Sequence, residues 1–268
     1  MSKGNAVSRH WKQYKYRFLP WLALNWKKNR KSVRRVSRSE ECESGQDGSL
    51  SEKLEHLFLE FHQSEAANIP RDIAFFESCG FCIEKRKSSI ADAGCGVFVA
   101  KGSIAKNAIA AMYPGTIYNP SDPILIQSIS NQYILRCIDG ILVDGKSNGI
   151  SKYIYRSCSK RDMIGTYESC DTSWLTETPK NPLAIGQYVN NQTSSMPANV
   201  VYQEVDIPIS FPLFIRKYLP NICYRNKFIE EQDIDLEDKV LMRVVILRSL
   251  TEIHENEELF SAYFTEVF

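Results

Sequence analysis

Three features of the 268-residue sequence predict a mostly β fold with short helices. From Phe81 onward, short β-type runs alternate with turn residues: FCIEKR, GVFVAKG, AIAAMYPGTIY, QYILRCIDGILVDG, VVYQEVDI and LMRVVILRSL. The Asp139-Gly140 step between two such runs is a hairpin signal, because both residues tolerate the positive φ of a tight turn. No strand-helix-strand rhythm runs through the chain, which argues against a doubly wound parallel sheet. A hydrophobic content of 43% supplies a sizeable core.

The elements follow in order. Twelve of the 33 Lys and Arg residues, and none of the 32 acidic ones, fall within residues 1–39, so a basic head precedes a body of net charge −11. In that head Trp11, Tyr14 and Phe18 share a helical face before Pro20 interrupts it. Such a segment suits contact with nucleic acid or another acidic surface, organelle targeting, a membrane surface, or docking onto the acidic body itself. Residues 39–52 form a polar linker, and SEKLEHLFLEFHQ then places Leu54, Leu57, Phe58 and Phe61 at helical spacing up to a stop near Asn68 and Pro70. The β-type body begins near residue 76, with a polar insert over about 146–182 that lacks strand periodicity. The division is therefore 1–39, 40–75 and 76–268.

Several chemistries are excluded. Beyond residue 80 the body holds a single His, His254 in a turn-like stretch, so Ser-His-Asp and Cys-His hydrolases lack their base. No phosphate-binding GxxxxGK[ST] loop occurs. Of eight Cys, only Cys79 and Cys82 form a CxxC, and no second pair completes a zinc site. The thiols read as reduced, small apolar residues of an intracellular protein, nuclear or cytoplasmic, with a mitochondrial address compatible with the Arg-rich head. No transmembrane segment is expected, since no run of eighteen apolar residues exists. Glu257 and Glu258 read as turn and register residues, because strand neighbours point to opposite faces. One stretch resists a bland reading. IGQYVNNQTSSMPANV puts Asn190 and Asn191 together in a β-leaning run, and an unpaired buried amide costs roughly 1–3 kcal/mol. Either the pair sits in an exposed turn or it holds something.

Five fragments, in order, resemble the SET-domain protein methyltransferases. They are Gly94-Cys95-Gly96-Val97-Phe98, Tyr113-Pro114-Gly115, ILVDG at 141–145, QYVNNQTSSMPAN, and NEELFSAY at 256–263. The resemblance implies a pseudoknot in which residues 187–192 lie against 258–264. It implies S-adenosyl-L-methionine as cofactor, held by Gly94, Cys95, Gly96, Phe98, Tyr188, Asn190 and Asn191. Asn190 would accept from the cofactor's ammonium, and the backbone at Asn191 would meet the adenine edge. Tyr263 matches the catalytic tyrosine, and Tyr113 and Tyr202 match residues of the lysine channel. The implied activity is protein-lysine methylation of a non-histone protein. The rivals are a cofactor- or peptide-binding module with weak turnover, and a nucleic-acid or chromatin adaptor acting through the head. The departures are Asn191 and Gln192 where the family has His and Ser, Ala198 between Pro197 and Asn199, and Ala262 before Tyr263. The sequence ends five residues after Tyr263, without the Cys-rich zinc segment of many members.

Overall fold

The structure is a computed structural model that describes residues 34–35, 47–225, 240–262 and 264–265. The aromatic face of the head, Tyr263 and Cys42 lie outside the described residues. Arg34–Arg35 form β1, Asp47–Ala66 helix α1 and Arg71–Cys79 helix α2. Strands follow at Phe81–Lys87 (β2), Cys95–Gly102 (β3), Ile109–Tyr113 (β4), Gly115–Tyr118 (β5), Ile134–Arg136 (β6) and Leu142–Asp144 (β7). After helix α3 at Gly149–Arg161 come Asn190–Asn191 (β8), Val200–Pro208 (β9), Asn221–Cys223 (β10), Val240–Ser249 (β11), Phe260–Ser261 (β12) and Phe264–Thr265 (β13).

Three sheets build the body. One runs β10-β5-β7-β6-β1-β13, a second β4-β11-β9-β12-β8, and β2 pairs with β3. Pairing is antiparallel in the long ladders, and parallel between β10 and β5, β1 and β6, and β12 with β8 and β9. The expected β-type runs all form strands, and β6 and β7 make an antiparallel pair across Asp139-Gly140. Between β4 and β5 the chain changes sheet at Pro114-Gly115. Gly115 has φ +137, and a Cβ there would lie 2.2 Å from the Asp144 carbonyl oxygen, so this crossing requires glycine.

The helices are not a detached preface. Leu50, Leu54, Phe58 and Phe61 form the buried stripe of α1, and Phe58 meets Phe211 edge-on at 6.2 Å and Tyr218 at 5.8 Å. The stripe explains a correction: the stretch expected as linker to residue 52 is helical from Asp47, because Leu50 and Ser51 extend the buried face back by a turn. Helix α2 ends at Gly80, whose left-handed backbone (φ 77) lets its N–H reach Phe76 O. Phe75 then packs on Phe61 and Phe81, which ties α2 to the first strand of the body.

The insert has a small core of its own. Tyr155 and Cys158 of α3 pack with Cys170, Trp174 and Leu175, and the buried Tyr155 hydroxyl donates to Asp171 O at 2.7 Å. The helix lacks a sequence signature because only Ser151, Tyr155, Cys158 and Ser159 are buried, two of them polar.

Candidate cofactor and substrate site

The C-terminal segment threads between two other parts of the chain. Val99 N donates to Glu257 O and Leu259 N to Val97 O, so this segment first pairs with β3. It then runs on as β12, where Phe260 pairs with Asn190 and Ser261 with Asn191 in parallel register. Asn199 closes the crossing: its Nδ2 donates to Glu258 O at 2.9 Å, and Phe260 N donates to its Oδ1 at 2.8 Å. The segments around 187–192 and 258–261 are thus adjacent although about seventy residues separate them, as the resemblance implies.

Phe260 pairs with Asn190, and alternation back along the chain from Phe260 puts Glu258 on the same side as Asn190. The Glu258 carboxylate is buried and accepts from Ser88 Oγ (2.7 Å), Ser89 N (2.8 Å), the Ser89 hydroxyl and Asn190 Nδ2 (3.2 Å). Asn190 Nδ2 also donates to Cys95 O at 3.0 Å and Ser88 Oγ at 3.1 Å. Gly96 makes this possible, since a Cβ there would fall 1.9 Å from Glu258 Oε1. At Gly94 (φ +78) the space a Cβ would enter is open to 4 Å, so a ligand can approach the backbone. Asn191 keeps its place through the backbone pair with Ser261, and Gln192 N donates to Ser261 O at 2.9 Å.

Tyr188 stands next along the chain, half-buried, with Lys85 Nζ 4.9 Å from its ring centroid and Tyr133 edge-on at 6.0 Å. It borders a cleft of about 330 Å³ between β2 and the 174–179 loop, which Ser147, Gln187 and Lys85 also line. Phe98, in β3, bridges to Glu258 along the backbone and has the Arg86 guanidinium 5.7 Å from its ring. Tyr113 and Tyr202 are buried together on one face of the β4-β11-β9 ladder, edge-to-face at 6.1 Å, and the Tyr113 hydroxyl donates to Tyr133 O. The predicted residues therefore fall into two groups, one at the Gly94–Gly96 turn with Asn190 and one around Tyr113 and Tyr202. Another cleft, of about 380 Å³, lies between α1, α2 and Tyr218, and none of the predicted residues lines it.

Other groupings do less. Burial pushes the Cys79 thiol up to about 12 and raises Cys82, so both are thiols near neutral pH rather than reactive thiolates. Cys137, Asp139 and Glu204 cluster, but the Arg243 guanidinium already stands among them as the cation, 2.7 Å from Asp139 and 3.1 Å from Glu204. Among the described residues no helix is long and apolar enough to cross a membrane.

No family model matches the chain. It is similar to the human SET domain-containing protein 9, 38% identical over 97% of this chain and 96% of that protein. The chain belongs to the SET-domain family. The protein of the same name from Pongo abelii is 45% identical over 77% of this chain and 71% of its own length. Among solved structures the chain has a likeness to the one described as ctPRC2 in an autoinhibited conformation bound to S-adenosylmethionine. The TM-score is 0.35 with 13% identity, covering 71% of this chain and 16% of that one. Membership accounts for the crossing: the segments that carry the SET motifs are the ones that interlock.

Glu258 is the buried residue of this candidate site that the sequence reading does not single out. The turn-and-register reading of the Glu257-Glu258 pair describes Glu257, whose Oε2 accepts from His254 N at 2.8 Å. A signal existed: two adjacent acids at a strand start must point apart, so one of them had to turn inward. Ser88 and Ser89, its donors, carry no motif at all.

Proposed function

We propose that this SET domain is an S-adenosyl-L-methionine-dependent protein-lysine methyltransferase with a non-histone substrate. The observation that carries the reading is the Asn190 amide at the threaded crossing. Its NH₂ shares two protons among three acceptors, which leaves Oδ1 to receive a donor beside a turn open at Gly94. Those residues fit the methionine end of the cofactor: Oδ1 accepts from an ammonium, and the Gly94-Cys95-Gly96 backbone admits close approach. Phe98, Tyr188 and the backbone of Asn191 complete the set that would hold it. Bound there, the cofactor supplies an electrophilic methyl group on a sulfonium.

The chain's own task is to bring a lysine amine to that methyl, neutral and aligned. A lysine amine has a reference pKa near ~10.4, and a dry, aromatic channel lowers it by disfavouring the charged form. Tyr113 and Tyr202, both buried, would form such walls. Tyr263 would orient the nitrogen. The Asn191-Gln192 departure leaves the crossing intact, since both residues hold Ser261 through the backbone.

Calorimetric titration with S-adenosyl-L-methionine tests the site, and transfer of a labelled methyl to lysine in a protein lysate tests the reaction. Tyr263→Phe should leave cofactor affinity unchanged and cut turnover tenfold or more, about 1.4 kcal/mol of transition-state stabilisation. A mutant that matches wild type would remove Tyr263 from the mechanism. Binding without any transfer by wild type would favour the binding-module reading.

A further inference from the structure

The two ends of an amide are nearly equal in size, so the groups around Asn190 decide whether its oxygen or its nitrogen faces the ligand. Its nitrogen is close to three of them. Glu258 Oε1, at 3.2 Å, and Cys95 O, at 3.0 Å, can only accept. Ser88 Oγ, at 3.1 Å, could do either, but its proton is engaged at 2.7 Å by that same Glu258 oxygen, so it turns a lone pair to Asn190. Glu258 therefore imposes the orientation twice, once directly and once through Ser88.

The carboxylate is itself held. Ser89 N and the Ser89 hydroxyl donate to Oε2, and the residue is 6% exposed. Gly96 leaves it the room that any side chain would take. We propose that Glu258 is a positioning residue that sets the polarity of the cofactor site. By fixing the Asn190 NH₂ it keeps Oδ1 as an acceptor, so the site selects a ligand with a cationic donor at that point, the α-ammonium of S-adenosyl-L-methionine. This inference rests on the cofactor reading above. It also ties binding to topology, because Glu258 arrives only when the C-terminal segment has crossed.

The isosteric Glu258→Gln tests it. The Ser89 backbone N–H cannot rotate, so the new amide turns its oxygen there and its nitrogen toward Asn190, where two NH₂ groups then oppose each other. Affinity for S-adenosyl-L-methionine should fall at least tenfold by calorimetry. Affinity for the analogue lacking the α-amino group should change less than twofold. Asn190→Ala combined with Glu258→Gln should bind no more weakly than Asn190→Ala alone, since Glu258 acts through Asn190. Melting of the ligand-free proteins reports folding separately; if Glu258→Gln fails to fold, Ser88→Ala should show the same ammonium-selective loss at two- to fivefold. Unchanged affinity, or equal losses for both ligands, would overturn the inference while leaving the cofactor reading in place. Absence of binding by wild type would remove the cofactor reading, and this inference with it.

Discussion

Asp144 shows how a single carboxyl is tuned by its surroundings. It is buried at the end of β7 and accepts from Asn131 Nδ2 (2.7 Å), Lys146 N (3.2 Å) and Ser151 Oγ (2.6 Å). Burial raises its pKa, and those three hydrogen bonds offset the rise only in part. A carboxyl with a raised folded pKa stabilises the fold fully below the unfolded value of about 4, and that contribution is lost as pH climbs through the folded value. Asp144→Asn removes the titration and keeps the bonds, because the amide oxygen still serves Asn131 and Lys146 while its nitrogen donates to Ser151. Urea denaturation should show the variant gaining on wild type as pH rises from about 4 toward neutrality. A stability difference independent of pH would mean that Asp144 does not titrate in that window. Legibility at this scale follows the same logic. Asn190 could be read from the sequence because a paired amide in a β-leaning run demands partners, whereas the partners of Glu258 come from residues 88 and 89, far away in sequence and without a distinctive pattern.

At the scale of elements, the long β9–β11 ladder carries a charge clamp. Arg243 pairs with Asp206 in register, grips its carboxylate with two hydrogen bonds (2.7 and 2.8 Å), and reaches Asp139 in the β6–β7 turn and Glu204 on β9. One guanidinium thus joins a ladder to a hairpin of another sheet. Its removal leaves three carboxylates facing one another, with Glu204 already raised chiefly by burial. Arg243→Met should cost about 2 kcal/mol, less than a fully buried pair because the site is partly exposed. Arg243→Lys should recover less than half of that, since a point charge cannot reproduce the fork. Denaturant midpoints measure both, and a Lys variant equal to wild type would show that charge alone matters. The strands were legible because their apolar runs are β-branched and bounded by turns, and α1 because Leu54, Phe58 and Phe61 repeat at helical spacing. Helix α3 was not, because it buries only Ser151, Tyr155, Cys158 and Ser159, too few apolar residues to mark a helical stripe. The parallel β8–β12 pairing had no local signature; two residues a side are too few for any periodicity, so only the order of the motifs pointed to it.

At the scale of the whole molecule, a described segment near each end of the chain joins the same sheet. Arg34–Arg35 lie between β6 and β13, parallel to Leu135–Arg136 and antiparallel to Phe264–Thr265, so two residues of the basic head form a strand of the body's sheet. The strand they hold begins directly after Tyr263. A two-residue strand is worth little to global folding, since each backbone hydrogen bond contributes about 1 kcal/mol net. Its leverage is local: without β1, Phe264–Thr265 lose their described partner. Two truncations separate the roles. Deleting residues 1–33 spares both strand residues and should leave melting, cofactor affinity and turnover near wild type while removing nine of the basic residues of the head. Deleting residues 1–39 removes the strand as well. The body should still fold around the α1 and β9–β11 core and still bind S-adenosyl-L-methionine, because Asn190, Gly96 and Glu258 are fixed independently of β1. Turnover should fall tenfold or more, and the chain beyond Ser261 should become sensitive to carboxypeptidase. Equal activity of the two truncations would show that β1 is an accessory to the fold, and loss of melting cooperativity in the longer deletion would show instead that the head is part of the folding unit.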